Sequence, residues 1–226
     1  MQVQLLLAQI ERFKEYLRKK PDFRSLYAWE ALRHFQQHWD IAAADFGAMY
    51  ARSLQNSQSQ RLWKREAWYP REIMLGFIAL SPDFVRNMFA DLFDENQPLT
   101  QRMQRFSFCC DALLEDYARL PGKSREDAHF HHAHMLFVYL ALRFPGQYTL
   151  FNYEAFRRCM QSVGSRNIPA EFEVERFVKL SRAVYTFMQK DQELLELHRR
   201  RLDSRQHYLQ PAMLLVDEFY QVMDKA

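Results

Sequence analysis

Arg33 and His38 stand five residues apart in YAWEALRHFQQHW (residues 27–39), a spacing that some helical ribonucleases use to address one phosphate. His34 and His38 in the same stretch are one helical turn apart, as two ligands of a metal ion would be. At about 100° per residue, however, Arg33 and His38 lie about 140° apart on a helix and flank a face rather than converge. That face is made of Trp29, Leu32, Phe35 and Trp39. His34 and His38 share a face, but a zinc site needs further ligands. The acidic residue that a zinc-protease helix carries between its histidines is missing, so the pair reads as a solvated polar face.

A second cluster, AHFHHAHM, holds His129, His131, His132 and His134. Read as helix, it points His129 and His132 one way and His131 and His134 the other. On that reading no more than one pair can serve a site, and neither a metal nor a cofactor is expected. The densest positive run is HRRRLDSRQH (residues 198–207), with Arg199, Arg200, Arg201 and Arg205. Together with Lys64, Arg65, Arg71, Arg157 and Arg158 it offers a surface for phosphates. The competing reading is a solvated helix end, where positive charge is favoured in any case. Among the aromatics, Trp63, Trp68 and Tyr148 fall at helix ends or in connections and are the candidates for stacking on a base. No glycine-rich phosphate loop, nucleophile elbow or metal-nuclease pattern is present, so no catalytic residues are expected and the chain reads as a non-enzyme.

The elements that must carry these residues are mostly helical. The chain has 226 residues, 48% hydrophobic and 26% charged, with nineteen Phe but five Gly and eight Pro. A sheet protein of this length needs more turn residues. Net charge is +3, which permits contact with nucleic acid without demanding it. Cys109, Cys110 and Cys159 match no zinc or redox spacing and read as free thiols in a reducing compartment. No run is long enough for a membrane span and the first twenty residues read as an amphipathic helix, so a cytoplasmic protein without membrane contact is expected. Helical periodicity covers about 3–17, 24–39, 42–54, 71–80, 82–93, 99–120, 124–144, 153–163, 171–190, 191–202 and 212–223. Ser81 with Pro82, Asn152, Gly164 and the pair Ser124 and Asp127 supply helix start and stop signals. Residues 55–60 (QNSQSQ) are a candidate flexible loop, and 147–151 is the one segment of extended character. The expected fold is all-α, about ten helices in a single domain over residues 1–226.

Several strings in order, YAWEALRHFQQHWDIAAADFGAMYARSL (27–54), WYPREIMLGFIALSPDFVRNMFADLFDE (68–95), FVYLALRFPGQYTLFNYEAFR (137–157) and LLVDEFYQVM (214–223), resemble the helical region ahead of the AAA+ module in McrB-type restriction proteins. The resemblance implies an accessory or target-recognition role in a prokaryotic defence system. Its implied partners are DNA, an AAA+ GTPase module and an McrC-type nuclease subunit. It also implies that the nucleotide-hydrolysing module would begin where this chain stops, so this chain should neither bind GTP nor cut DNA. The family's aromatic segment usually holds a lysine among its tyrosines, and GQYTLFNY (146–153) does not, which puts a nucleic-acid role for that segment in doubt. Two other readings stand beside this one. The first is a protein-interaction or oligomerisation scaffold that uses an apolar patch on the first or last helix. The second is the Arg33 and His38 ribonuclease.

Overall fold

Leu6, Ile10, Phe13 and Leu17 recur at three- and four-residue steps, and they form the buried stripe of α1 (Val3–Lys19). In the computed structural model of this chain, residues 1–19, 26–55, 60–63, 69–122 and 128–224 are described, residue 224 without its side chain. They form twelve helices that share one hydrophobic core. The next are α2 (Tyr27–His38), α3 (Phe46–Ser53), α4 (Gln60–Trp63), α5 (Pro70–Leu80) and α6 (Pro82–Leu92). Then come α7 (Leu99–Tyr117), α8 (Ala133–Arg143), α9 (Tyr153–Ser162), α10 (Val174–Lys190), α11 (Gln192–Arg201) and α12 (Leu214–Asp224). The all-α expectation holds, with no strand among the described residues.

Local chemistry sets many of the helix ends. Pro82 takes the first turn of α6 behind Ser81, whose carbonyl rather than its side chain closes that turn on Val85 N–H at 3.0 Å. Asn152 caps α9 by accepting from Ala155 N–H at 3.3 Å. Asp191 caps α11 by accepting from Leu194 N–H at 2.9 Å. Gly164 closes α9 with φ +64°, in the left-handed region that glycine enters without a steric cost. The capping pair Ser124 and Asp127 and most of the 55–60 loop lie outside the described residues.

The centre is α8, whose residues from Met135 to Leu142 are all buried, as a helix apolar on every side must be. It packs on α2 and α4, while α12 packs on α9, α1 and α10, and α5, α6 and α7 all pack on one another. Segment 147–151 joins no sheet: Gln147 lies in a turn, and 148–151 belong to neither helix nor strand. Instead Tyr148, Thr149, Leu150 and Phe151 are buried beneath the helices. The predicted helix over 124–144 needs correction: α8 begins only at Ala133. Phe130 has φ +61°, a left-handed turn that breaks helical geometry just where the histidines lie.

Candidate functional site

The residues singled out for nucleic-acid contact separate into buried and exposed groups. Trp63 and Tyr148 expose only 2% of their surface, so neither can stack on a base in this fold. Trp63 ends α4, which packs on α8. Tyr148 donates its hydroxyl proton to Glu95 at 2.8 Å and accepts from Arg102 Nη2 at 2.9 Å. Arg102 also binds Glu95 at 2.6 Å and the Leu92 carbonyl at 2.7 Å. That network locks the segment around Tyr148 to the junction of α6 and α7, because buried polar groups must be paired. Lys64, Arg65 and Trp68 lie outside the described residues.

Arg201 is withdrawn too. Its guanidinium makes a two-pronged pair with Glu218 at 2.7 and 2.8 Å, both side chains being almost fully enclosed. Arg157 is tied to Glu154 at 2.8 Å on α9, and Arg158, the next residue of that helix, is engaged as well. Because α9 packs on α12 while α11 packs on α1 and α10, the structure divides the predicted arginines between two helices with no major shared interface. Arg199, Arg200 and Arg205 remain solvent-facing at the end of α11 and in the connection after it. Arg200 holds a surface pair with Glu196, the kind that contributes little. Arg33 lies against this end, its Nη1 donating to the Ser204 carbonyl at 2.7 Å.

That bond also bears on the ribonuclease reading, since it draws Arg33 onto the connection after α11. His38 turns to its own helix, Nδ1–H donating to the His34 carbonyl at 2.7 Å. His34 donates from Nε2 to the Arg52 carbonyl at 2.8 Å, and the two rings pack 4.2 Å apart.

The second place where chemistry-bearing groups meet was hidden by reading 124–144 as helix. Three ligand-type atoms, one each from Cys110, His129 and His131, lie within 4.8 Å of one another, and all three residues are buried. Cys110 comes from the apolar face of α7, in register with Met103, Phe106 and Leu113. His129 and His131 come from the stretch before α8. Their spacing of two gave no usable signal, because the period-two rule of an extended chain does not apply across the left-handed Phe130. His132 is exposed, and His134 points elsewhere, its Nε2 bonding the Leu62 carbonyl at 2.9 Å.

Comparison with family models, with curated proteins and with solved structures gives no match. The resemblance to the McrB-type helical region therefore rests on the four sequence strings alone. No helix among the described residues is long and apolar enough to cross a membrane.

Hydrogen bonds define the state of the buried cluster. His131 Nδ1 faces the His129 carbonyl and must donate to it, which leaves Nε2 to accept from the Tyr139 hydroxyl at 3.0 Å. Tyr139 in turn meets the Tyr50 hydroxyl at 2.7 Å. His129 Nδ1 accepts from the His131 backbone N–H at 2.9 Å, so its Nε2–H donates to Asp111 at 3.1 Å. Burial pushes the His131 imidazole down to about 3, aided by neighbouring His129, so it is neutral. Burial likewise raises the Cys110 thiol well above its ordinary value.

Proposed function

We propose that this chain is a non-enzymatic accessory domain of a prokaryotic defence system that contacts DNA through its phosphates. The observation that carries the reading is the trio Arg199, Arg200 and Arg205, solvent-facing at one end of α11 while Arg201 is held inside. The order of the four sequence strings supports the choice of system, with an AAA+ GTPase module and an McrC-type nuclease as partners. Because Trp63 and Tyr148 are enclosed, this contact positions the domain on a duplex through phosphates, without base stacking by either of those rings.

Three phosphate contacts give a log–log salt slope of about −2.7, or roughly a 40-fold loss of affinity between about 50 and 200 mM salt. Arg199→Ala should weaken binding uniformly across duplex sequences and reduce that slope by about 1. Fluorescence anisotropy with methylated and unmodified duplexes measures both. Negligible binding to either duplex at low salt eliminates the proposal.

A scaffold reading is favoured by a different observation. Val3 and Leu7, one turn apart on α1, are exposed, whereas the described apolar side chains at the start of α12 are buried. An apolar interaction surface would therefore use the first helix and not the last. Sedimentation of the parent and of Val3→Ser/Leu7→Ser checks it: a dimer that the double variant dissolves supports a scaffold.

A further inference from the structure

We propose that Cys110, His129 and His131 form a binding site for one zinc-class divalent ion. This goes beyond the DNA-contact reading and does not depend on it. The ligand types suit a borderline-soft ion, which takes thiolate sulfur and imidazole nitrogen together. Around tetrahedral zinc such atoms stand about 3.3–3.6 Å apart. Atoms already within 4.8 Å need a closure of about an ångström, within reach of side-chain rotation.

The hydrogen bonds prepare each ring as a metal-binding histidine is usually prepared, with one nitrogen anchored as a donor and the other keeping its lone pair. His131 Nδ1–H is anchored on the His129 carbonyl, leaving the lone pair on Nε2. His129 Nε2–H is anchored on the Asp111 carboxylate, leaving the lone pair on Nδ1. Those lone pairs are held by the Tyr139 hydroxyl and the His131 backbone N–H, both of which must yield when the ion binds. The left-handed Phe130 lies between the two histidines. A non-glycine residue there carries a cost of about 1–2 kcal/mol, and such strain collects at functional sites. Asp111 is largely exposed while His129 is buried, so the cluster lies one residue beneath the surface.

The proton balance follows from the same state. Both rings enter neutral and release nothing. Cys110 enters as a thiol and must become thiolate under the ion's charge, its proton passing to solvent. One proton is therefore released per ion bound.

The test uses the full chain, stripped with chelator and titrated with Zn²⁺ against a chromophoric competitor, and separately with Co²⁺. Expected are one ion per chain, a near-ultraviolet cobalt–thiolate charge-transfer band, and one proton released in calorimetry across buffers of different ionisation enthalpy. Cys110→Ser should abolish the band. Asp111→Asn, at an exposed side chain that leaves the fold intact, should weaken affinity roughly 10- to 100-fold. The control His34→Ala/His38→Ala should bind as the parent does. Absence of binding, or a band that survives Cys110→Ser, overturns the proposal. Should Cys110→Ser fail to fold, the cobalt spectrum of the unaltered chain decides alone: a thiolate band supports the site and its absence removes it.

Discussion

Asp217 is buried in α12 with one carboxylate oxygen accepting from Gln221 at 2.6 Å and the other without a hydrogen-bond partner. Burial pushes its carboxyl up to about 7; the Gln221 donor opposes the rise and nearby Glu218 adds to it. In the unfolded chain the group returns to about 4. The folded protein thus keeps a proton that the unfolded chain loses between about pH 4 and 7. The resulting stabilisation is complete below about pH 4 and is lost as pH rises through 7, on the order of 4 kcal/mol in all. His198 works the other way: burial, then Arg201 and His207, push it down to about 3. Its stabilisation is present above about 6.5 and is lost as pH falls. Comparison with a variant isolates Asp217. Asp217→Asn should gain in Tm relative to the parent as pH rises from 4 to 7, by several degrees. An unchanging gap over that range refutes the assignment.

At the scale of elements, α5 and α7 approach each other through Gly76. A Cβ there would lie 2.4 Å from Tyr117 Cε2 and 3.1 Å from Cδ2, too close for a ring held between helices. Helix propensity alone favours alanine over glycine by about 1 kcal/mol. Overpacking costs roughly 1–3 kcal/mol and should win. Gly76→Ala is expected to lower Tm by a few degrees, and Tyr117→Leu in the same chain should restore part of the loss by removing the ring. Thermal unfolding followed by circular dichroism checks both. Sequence periodicity foresaw both helices, but their partnership was not legible, because it depends on a close approach between residues 41 positions apart in the chain.

At the scale of the molecule, Arg201 and Glu218 join α11 to α12, and α12 in turn holds α9, α1 and α10. Removing one member of an enclosed pair strips the other of that partner, typically at about 3 kcal/mol or more. Arg201→Ala should therefore cost roughly 6–12 °C in Tm. Arg199→Ala, two residues away on roughly the opposite side of the helix and exposed, should leave Tm unchanged while altering the salt dependence of DNA binding. Loss of stability in both, or in neither, contradicts the division between a buried and a solvent-facing arginine in one basic run.

What the sequence determined by itself were properties carried by near neighbours. The helical class, the first-turn proline at Pro82, the cap at Asn152 and the stop at Gly164 depend on residues within one turn of each other. The buried face of Trp29, Leu32 and Phe35 was legible for the same reason. Only the tertiary structure decided which polar residues face water. Arg199 and Arg201 are chemically identical in the sequence, and a glutamate seventeen residues after Arg201 makes the difference. Tyr148 looked like an accessible aromatic until Glu95 and Arg102 closed on its hydroxyl. The histidine cluster was misread because the expected helix begins only at Ala133, so that two histidines ahead of it, with the left-handed Phe130 between them, meet a cysteine from α7. Local periodicity cannot register that event, since burial of Cys110 and the two imidazoles is a property of packing between distant segments.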